Sequence, residues 1–320
     1  MSQRNAVFLD LSPLDQGDLD LAPLERAFDR LTRHDTSAPG QLAERLQGAQ
    51  VAIVNKVAID AETMAACPEL KLILVSATGV NNIDLAAARS RGIAVSNCQG
   101  YGTATVAQHT LMLLLALATR MPDYQAAVRS GRWQQAGAFC FLDFPIVELE
   151  SKTLGLLGHG ELGSAVARLA EAFGMRVVTG NLPGRPKRPD RLDLHELLAE
   201  ADAVTLHCPL TEQTRGLIGR TELDAMKPGA FLINTARGGL IDEEALADTL
   251  RRGHLGGAAT DVLTQEPPVD GNPLLAPDVP RLIVTPHSAW GSREARQRIV
   301  GQLAENAEAF FTGRPLRRVD

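Results

Sequence analysis

The chain has 320 residues, 45% of them hydrophobic and 22% charged, with a formal net charge of −6. That length accommodates two domains of ordinary size with substantial cores. No basic block or aromatic-interleaved basic stripe occurs, which argues against a nucleic-acid partner, and the greasiest run, LMLLLALA at 111–118, is far short of the ~18 to 20 residues that span a bilayer.

Taken in chain order, short apolar, branched runs alternate with helical patterns. Strands are expected at 6–10 (AVFLD), 51–55 (VAIVN), 71–79 (KLILVSATG) and 93–98 (IAVSNC). VAQHTLMLLLALATR at 106–120 is apolar nearly all round and is expected to form a buried helix. The stretch from Met121 to Ser151 has weak periodicity and carries Trp133, Phe139, Phe141 and Phe144. It reads as a loop or arm that either contacts another subunit or packs on its own domain.

A second strand series follows at 153–158, 175–180, 203–209, 230–236, 256–262 and 281–287. Within it, ELGSAVARLAEAF is expected to place Leu162, Val166, Leu169 and Phe173 on one helical face. The final segment, EARQRIVGQLAENAEAFFTG, is helical and can return to pack on the first domain. Continuous rather than alternating apolarity indicates strands covered on both faces, as in parallel sheets. The expected class is α/β, with two doubly wound domains.

Cys67, Cys98, Cys140 and Cys208 are scattered without a CxxC pair, and the opening MSQRNAVFLD has no signal-peptide apolar region. Reduced thiols in a cytoplasmic protein are the expectation. No spacing among the histidines and cysteines suggests a metal site.

The motif GHGELG at 158–163 follows a strand and opens a helix, the context that makes a dinucleotide site out of a weak pattern. Gly158 would permit the tight turn, Gly160 the approach of backbone N–H groups to a pyrophosphate, and Gly163 close helix–strand packing. The acidic residue usual about 20 positions later is missing. The next strand runs into Asn181, and Arg185, Lys187 and Arg188 follow, with no Asp or Glu from Phe173 to Pro189. Cations in place of a carboxylate favour the 2′-phosphate of NADP(H). A solvated basic loop with Asn181 on the ribose of NAD(H) is the alternative.

Three strands of the second series end in polar residues: Arg237 in INTARGG, Asp261 and Glu266 in TDVLTQEPP, and His287 in TPHSAWG. Ligands of open α/β sheets sit beyond the carboxyl ends of strands, so these loops can converge. Arg237 offers a planar fork for a carboxylate, and His287 is an acid/base near neutral pH whose charged form Glu266 can orient and support. Singly, each has a plainer reading as a surface ion pair, a loop acid or a hydrogen-bonded histidine. His109, on the buried helix, reads as a structural residue.

With LHCPLTEQTRGLI (206–218), LINTARGGLIDEEAL (232–246), DVLTQEPP (261–268) and TPHSAW (285–290) added, the chain resembles the D-isomer-specific 2-hydroxyacid dehydrogenases nearly end to end. Within that family it is most similar to glycerate dehydrogenases, also called hydroxypyruvate reductases, through GYGTATVAQHT (100–110) and HSAW. The resemblance implies a Rossmann-type cofactor domain, 101–290, inserted into a flavodoxin-like substrate domain, 1–100 and 291–320. It further implies an active site in the interdomain cleft and a homodimer with the 121–151 arm as a candidate contact.

The resemblance also implies roles. Arg237 would bind the substrate carboxylate and keto oxygen, with His287 as proton donor and Glu266 as its partner. Ala77, Thr78 and Gly79 would grip the carboxylate through backbone N–H groups; apart from the resemblance, a compact site with polar groups near Trp290 or Trp133 would accept a small polar side chain. Asp261 would bind the nicotinamide carboxamide. The cofactor would meet Thr103, the turn formed by Gly158, His159, Gly160, Glu161, Leu162 and Gly163, and the basic loop. It would also meet His207, Cys208, Pro209, Leu210 and Thr214, then Thr235, Ala236 and Ala289. His159, the variable residue of the turn, should point outward. Gln108 departs from the family's usual Glu, which weakens a subfamily assignment.

The expected activity is hydride transfer between NAD(P)H and C2 of a small 2-oxo acid, hydroxypyruvate first and glyoxylate next. A dinucleotide-sensing binding protein of the same fold, like the C-terminal-binding-protein corepressors, is the alternative from another class. Formate dehydrogenases share the fold but generally place Gln where Glu266 stands.

Overall fold

The computed structural model describes residues 3–320. The chain forms two compact units, one running to Gly102 and completed by Trp290–Asp320, the other Thr103–Ala289. No described helix is long and apolar enough to cross a membrane.

The first unit carries β1 (Asn5–Phe8), β2 (Arg30–Arg33), β3 (Val51–Val54), β4 (Leu72–Val75) and β5 (Ala94–Ser96). They form one parallel sheet in the order β2-β1-β3-β4-β5. This is the flavodoxin-like order. β3 and β4 are buried along their whole length because both faces are covered. Phe8, Ile53 and Leu74 pack on one side with Ile299, Val300 and Leu303 of the last helix, Arg293–Phe311. Val7, Leu9, Val54 and Ile73 pack on the other with Met64 and Ile93. β2 was not expected from the sequence: RLTR is an edge strand whose end residues are exposed, so it lacks the apolar run that marks its neighbours.

The second unit carries β6 (Thr153–Leu157), β7 (Arg176–Thr179), β8 (Ala203–Leu206), β9 (Phe231–Asn234), β10 (Gly257–Thr260) and β11 (Leu282–Val284). All pair in parallel, in the order β11-β10-β9-β8-β6-β7. The direction of winding reverses between β6 and β8, the switch point where such sheets bind ligands. Two strands lie on one side of it and four on the other, against three and three in the 3-2-1-4-5-6 arrangement.

Helix Thr103–Ala118 is buried on most of its surface, with Leu113, Leu114 and Leu117 among Leu156, Val166, Ile233 and Ala259. Helix Glu161–Ala172 packs beside it, with Ala165, Val166 and Ala170 in the same apolar cluster. The expected buried face is therefore corrected. Val166 is buried, but Leu169 is 38% exposed and Phe173 46%. The buried face is instead centred on Gly163, Val166, Ala167 and Ala170, and a Cβ on Gly163 would lie 2.1 Å from the Gly158 carbonyl oxygen. Within 121–151, Met121–Arg129 is helical, and Phe139, Leu142 and Trp133 beyond it are exposed by 90%, 77% and 52%.

Candidate active site

The glycine turn follows β6. Gly158 has φ +108, and a Cβ there would meet the His207 carbonyl at 2.5 Å and the Cys208 nitrogen at 2.6 Å. Only glycine fits between this turn and the one after β8. Gly160 precedes the helix in an extended conformation with open space where its Cβ would be, and no side chain caps the helix. The first-turn N–H groups thus face open space with the positive end of the helix dipole, which suits a pyrophosphate. His159 is exposed, and the Glu161 carboxylate is drawn aside by the Thr103 hydroxyl, 2.6 Å away.

Beyond β7, the Asn181 amide closes its own loop, donating to the Arg191 carbonyl at 3.1 Å and accepting from the Arg188 N–H at 3.0 Å. Lys187 pairs with Asp193 at 2.7 Å, and Arg188 grips Asp190 at 3.1 and 3.0 Å. Two of the three expected phosphate-reading cations are therefore already paired, with acids just downstream of the acid-free window. Arg185 has no ion-pair partner among the described residues, and its charge favours the Cys208 thiolate. Burial outweighs that charge and pushes the Cys208 thiol up to about 11.

After β8, His207 hydrogen-bonds Thr205 through Nε2 at 3.0 Å, while its buried Nδ1 has no partner among the described residues. Burial pulls its pKa down to about 4, so it is neutral at physiological pH. The Cys208–Thr214 turn is bound internally, the Thr214 hydroxyl donating to the Pro209 carbonyl at 2.7 Å. Leu210 lies against Gly239, where a Cβ would approach to 3.2 Å.

Arg237, Asp261 and His287 follow β9, β10 and β11, three strands adjacent in register, with Asn234 beside Thr260 and Thr260 beside Val284. The buried Asn234 shapes the first loop, accepting from the Ala236 N–H at 3.0 Å and donating to the Arg237 carbonyl at 2.8 Å. Gly238 then lets that loop lie against the next, since its Cβ would come within 2.0 Å of the Leu263 carbonyl carbon. The partly buried Arg237 side chain rests on the Ala236 carbonyl at 2.7 Å.

Glu266 Oε2 lies 2.6 Å from His287 Nδ1, and Oε1 accepts from the Leu263 N–H at 2.9 Å. Both carboxylate oxygens are committed, so the ring is held from one side. His287 Nε2 has no protein partner among the described residues and is the nitrogen left to exchange a proton with a substrate. His287 sits at φ +52, a region uncommon for non-glycine residues though one histidine enters more readily than most. Its N–H donates to the Asp261 carbonyl at 2.8 Å, and the Asp261 carboxylate accepts from Ser288 and Ala289, each at 2.9 Å.

In the first unit, Ala77, Thr78 and Gly79 follow β4. The Thr78 hydroxyl donates to the Cys98 carbonyl at 2.9 Å, and the Thr78 carbonyl accepts from Asn97 at 2.7 Å. The Thr78 and Gly79 N–H groups have no acceptor among the described residues. Trp290 packs partly buried on that unit's core. Sequence reasoning missed Asn234, Gly238 and Thr285. Gly238 was visible in the pair GG, but the carbonyl it accommodates comes from a distant loop.

The family model described as D-isomer specific 2-hydroxyacid dehydrogenase, NAD binding domain, matches residues 111–289. A glycerate dehydrogenase of Methylorubrum extorquens is 44% identical over 309 residues, 96% of this chain and 98% of its own. A hydroxypyruvate reductase of Blautia hydrogenotrophica is 34% identical over 323 residues, 98% and 99% of the two chains. The crystal structure of a Thermus thermophilus protein superposes with a TM-score of 0.87 at 40% identity, covering 99% of this chain and 100% of that one. The chain belongs to the D-isomer-specific 2-hydroxyacid dehydrogenases, oxidoreductases built on a nicotinamide-dinucleotide-binding domain.

Proposed function

We propose that this enzyme reduces hydroxypyruvate to D-glycerate, with glyoxylate as second substrate. The observation that carries the mechanism is the His287–Glu266 pair at 2.6 Å. Arg237 binds the carboxylate and keto oxygen of the 2-oxo acid through its fork of donors. The Thr78 and Gly79 N–H groups add a grip on the carboxylate, with Ala77 and Trp290 shaping the substrate's surroundings. His287 delivers the Nε2 proton to the oxygen that becomes the hydroxyl, and Glu266 keeps the ring oriented and balances its charge. When bound, the reduced nicotinamide supplies hydride to C2. The second unit, which carries the glycine turn, also carries Arg237, Glu266 and His287.

NADP(H) is the proposed cofactor, with NAD(H) the alternative. The support narrows to Arg185, because Lys187 and Arg188 hold Asp193 and Asp190. Asp261 keeps one carboxylate lone pair for the carboxamide after its three donors are counted.

The exposed Trp133, Phe139 and Leu142, together with Leu169 and Phe173, support a homodimer that covers them. Scattered free cysteines, three of them buried, support a cytoplasmic enzyme. The relatives named for catalysis do not favour the corepressor-like alternative. Glu266, bonded to His287, argues against formate oxidation. Assaying hydroxypyruvate, glyoxylate, pyruvate and 3-phosphohydroxypyruvate, each with NADH and NADPH, tests the proposal. The highest kcat/KM belongs to hydroxypyruvate with NADPH, and turnover of none of the four would refute it.

A further inference from the structure

His109 Nε2 lies 3.0 Å from the Thr285 hydroxyl oxygen, which lies 2.5 Å from Asp261 Oδ1. A threonine has one hydroxyl proton, and a buried carboxylate 2.5 Å away claims it. The Thr285 oxygen must therefore accept from His109, which fixes Nε2 as the protonated nitrogen of that ring. A directed chain results: His109 donates to Thr285, Thr285 to Asp261, and Asp261 in turn accepts from the Ser288 and Ala289 N–H groups.

The same helix, Thr103–Ala118, makes two further ties. The Thr105 hydroxyl donates to the Ala289 carbonyl at 3.0 Å. Thr110 gives its proton to the Val106 carbonyl at 2.8 Å, so at 2.9 Å it must accept from Thr235, two residues before Arg237. One rigid, buried helix thus reaches the loops of both Arg237 and His287.

We propose that His109 and Thr285 are positioning residues. Their hydrogen-bonded chain holds the Asp261 carboxylate and the 285–289 segment so that His287 keeps its left-handed conformation. The effect on turnover rests on the function proposed above; the effect on the segment does not. Neither residue need touch substrate. Glu266 bonds the ring at Nδ1, and this chain fixes the backbone that carries it.

The test uses two pairs of variants. Thr285→Val and His109→Leu each remove a link, whereas Thr285→Ser and His109→Gln keep a hydroxyl or an N–H donor. Amide hydrogen exchange at Ser288 and Ala289, measured without dinucleotide, should accelerate about 10-fold or more in the first pair and return towards wild type in the second. The kcat for hydroxypyruvate should fall about 10- to 100-fold in the first pair, because a misplacement of this size is costly. The KM for hydroxypyruvate, set by Arg237, should stay within about threefold.

The double variant should be no worse than the more impaired single one, since both cut one chain. Unchanged exchange in both Thr285→Val and His109→Leu, or losses that multiply in the double variant, would overturn the proposal. If Thr285→Val does not fold, the His109 pair decides. If wild type turns over no 2-oxo acid, the reading of function fails while the exchange data still decide the chain.

Discussion

His287 Nδ1 and Glu266 Oε2 stand 2.6 Å apart, and the other Glu266 oxygen is bound to the Leu263 N–H at 2.9 Å. The carboxylate is pinned at one end by backbone and holds the imidazole at the other. An acid so anchored orients the ring and supplies negative charge opposite the nitrogen that exchanges the proton. Replacing it by an amide keeps the shape and removes the charge. Glu266→Gln should therefore lower kcat for hydroxypyruvate by about 10²- to 10⁴-fold, with dinucleotide affinity near wild type. Stopped-flow measurement of a single turnover checks this directly.

The glycine turn predicts opposite behaviour at two of its glycines. A methyl group on Gly163 would meet the Gly158 carbonyl oxygen at 2.1 Å, a backbone atom that cannot step aside. Gly163→Ala should lower Tm by several degrees or prevent folding, as overpacking costs ~1 to 3 kcal/mol or more. A methyl group on Gly160 meets nothing within 4 Å. Gly160→Ala should keep Tm close to wild type but weaken dinucleotide binding by about tenfold, some 1.4 kcal/mol, because the added carbon occupies the phosphate's approach. Calorimetry and fluorescence titration separate the two effects.

Cofactor preference should depend on Arg185 far more than on its neighbours. Lys187 and Arg188 are paired with Asp193 and Asp190. Arg185→Ala should reduce kcat/KM for NADPH about tenfold or more, the scale of a lost charge-assisted bond to phosphate, and leave NADH little changed. Lys187→Ala should change either value by less than about threefold. Kinetics with both dinucleotides read the difference.

His207 gives the enzyme an acid-sensitive step. Burial lowers its pKa from the ordinary 6.5 to about 4. The unfolded chain binds a proton there as pH falls below 6.5, while the folded chain resists until about pH 4. The contribution of this site is thus fully present above pH 6.5, lost through the window down to pH 4, and constant below it. His207→Asn should flatten chemical-denaturation stability across that window, by an amount on the order of a few kcal/mol at most.

The features legible in the sequence are those written locally. β3, β4 and β8 are unbroken apolar runs, and GHGELG lies between a strand and a helix in chain order. The hidden features depend on distant partners. β2 exposes its end residues and reads as loop. The buried face of helix Glu161–Ala172 is centred on Gly163, Val166, Ala167 and Ala170, so Leu169 and Phe173 turn outward. The acids that pair with Lys187 and Arg188 lie only a few residues beyond the basic stretch, but that pairing depends on how the loop folds back. Asn234 looks like an ordinary strand residue until both ends of its amide are seen to brace Ala236 and Arg237.

The most direct test of the central assignment is the steady-state rate of hydroxypyruvate reduction by His287→Ala beside wild type, followed through the absorbance of the reduced dinucleotide. Loss of the proton donor should cut kcat by about 10²- to 10⁴-fold while the variant still binds dinucleotide. A His287→Ala enzyme that turns over at the wild-type rate would contradict the account.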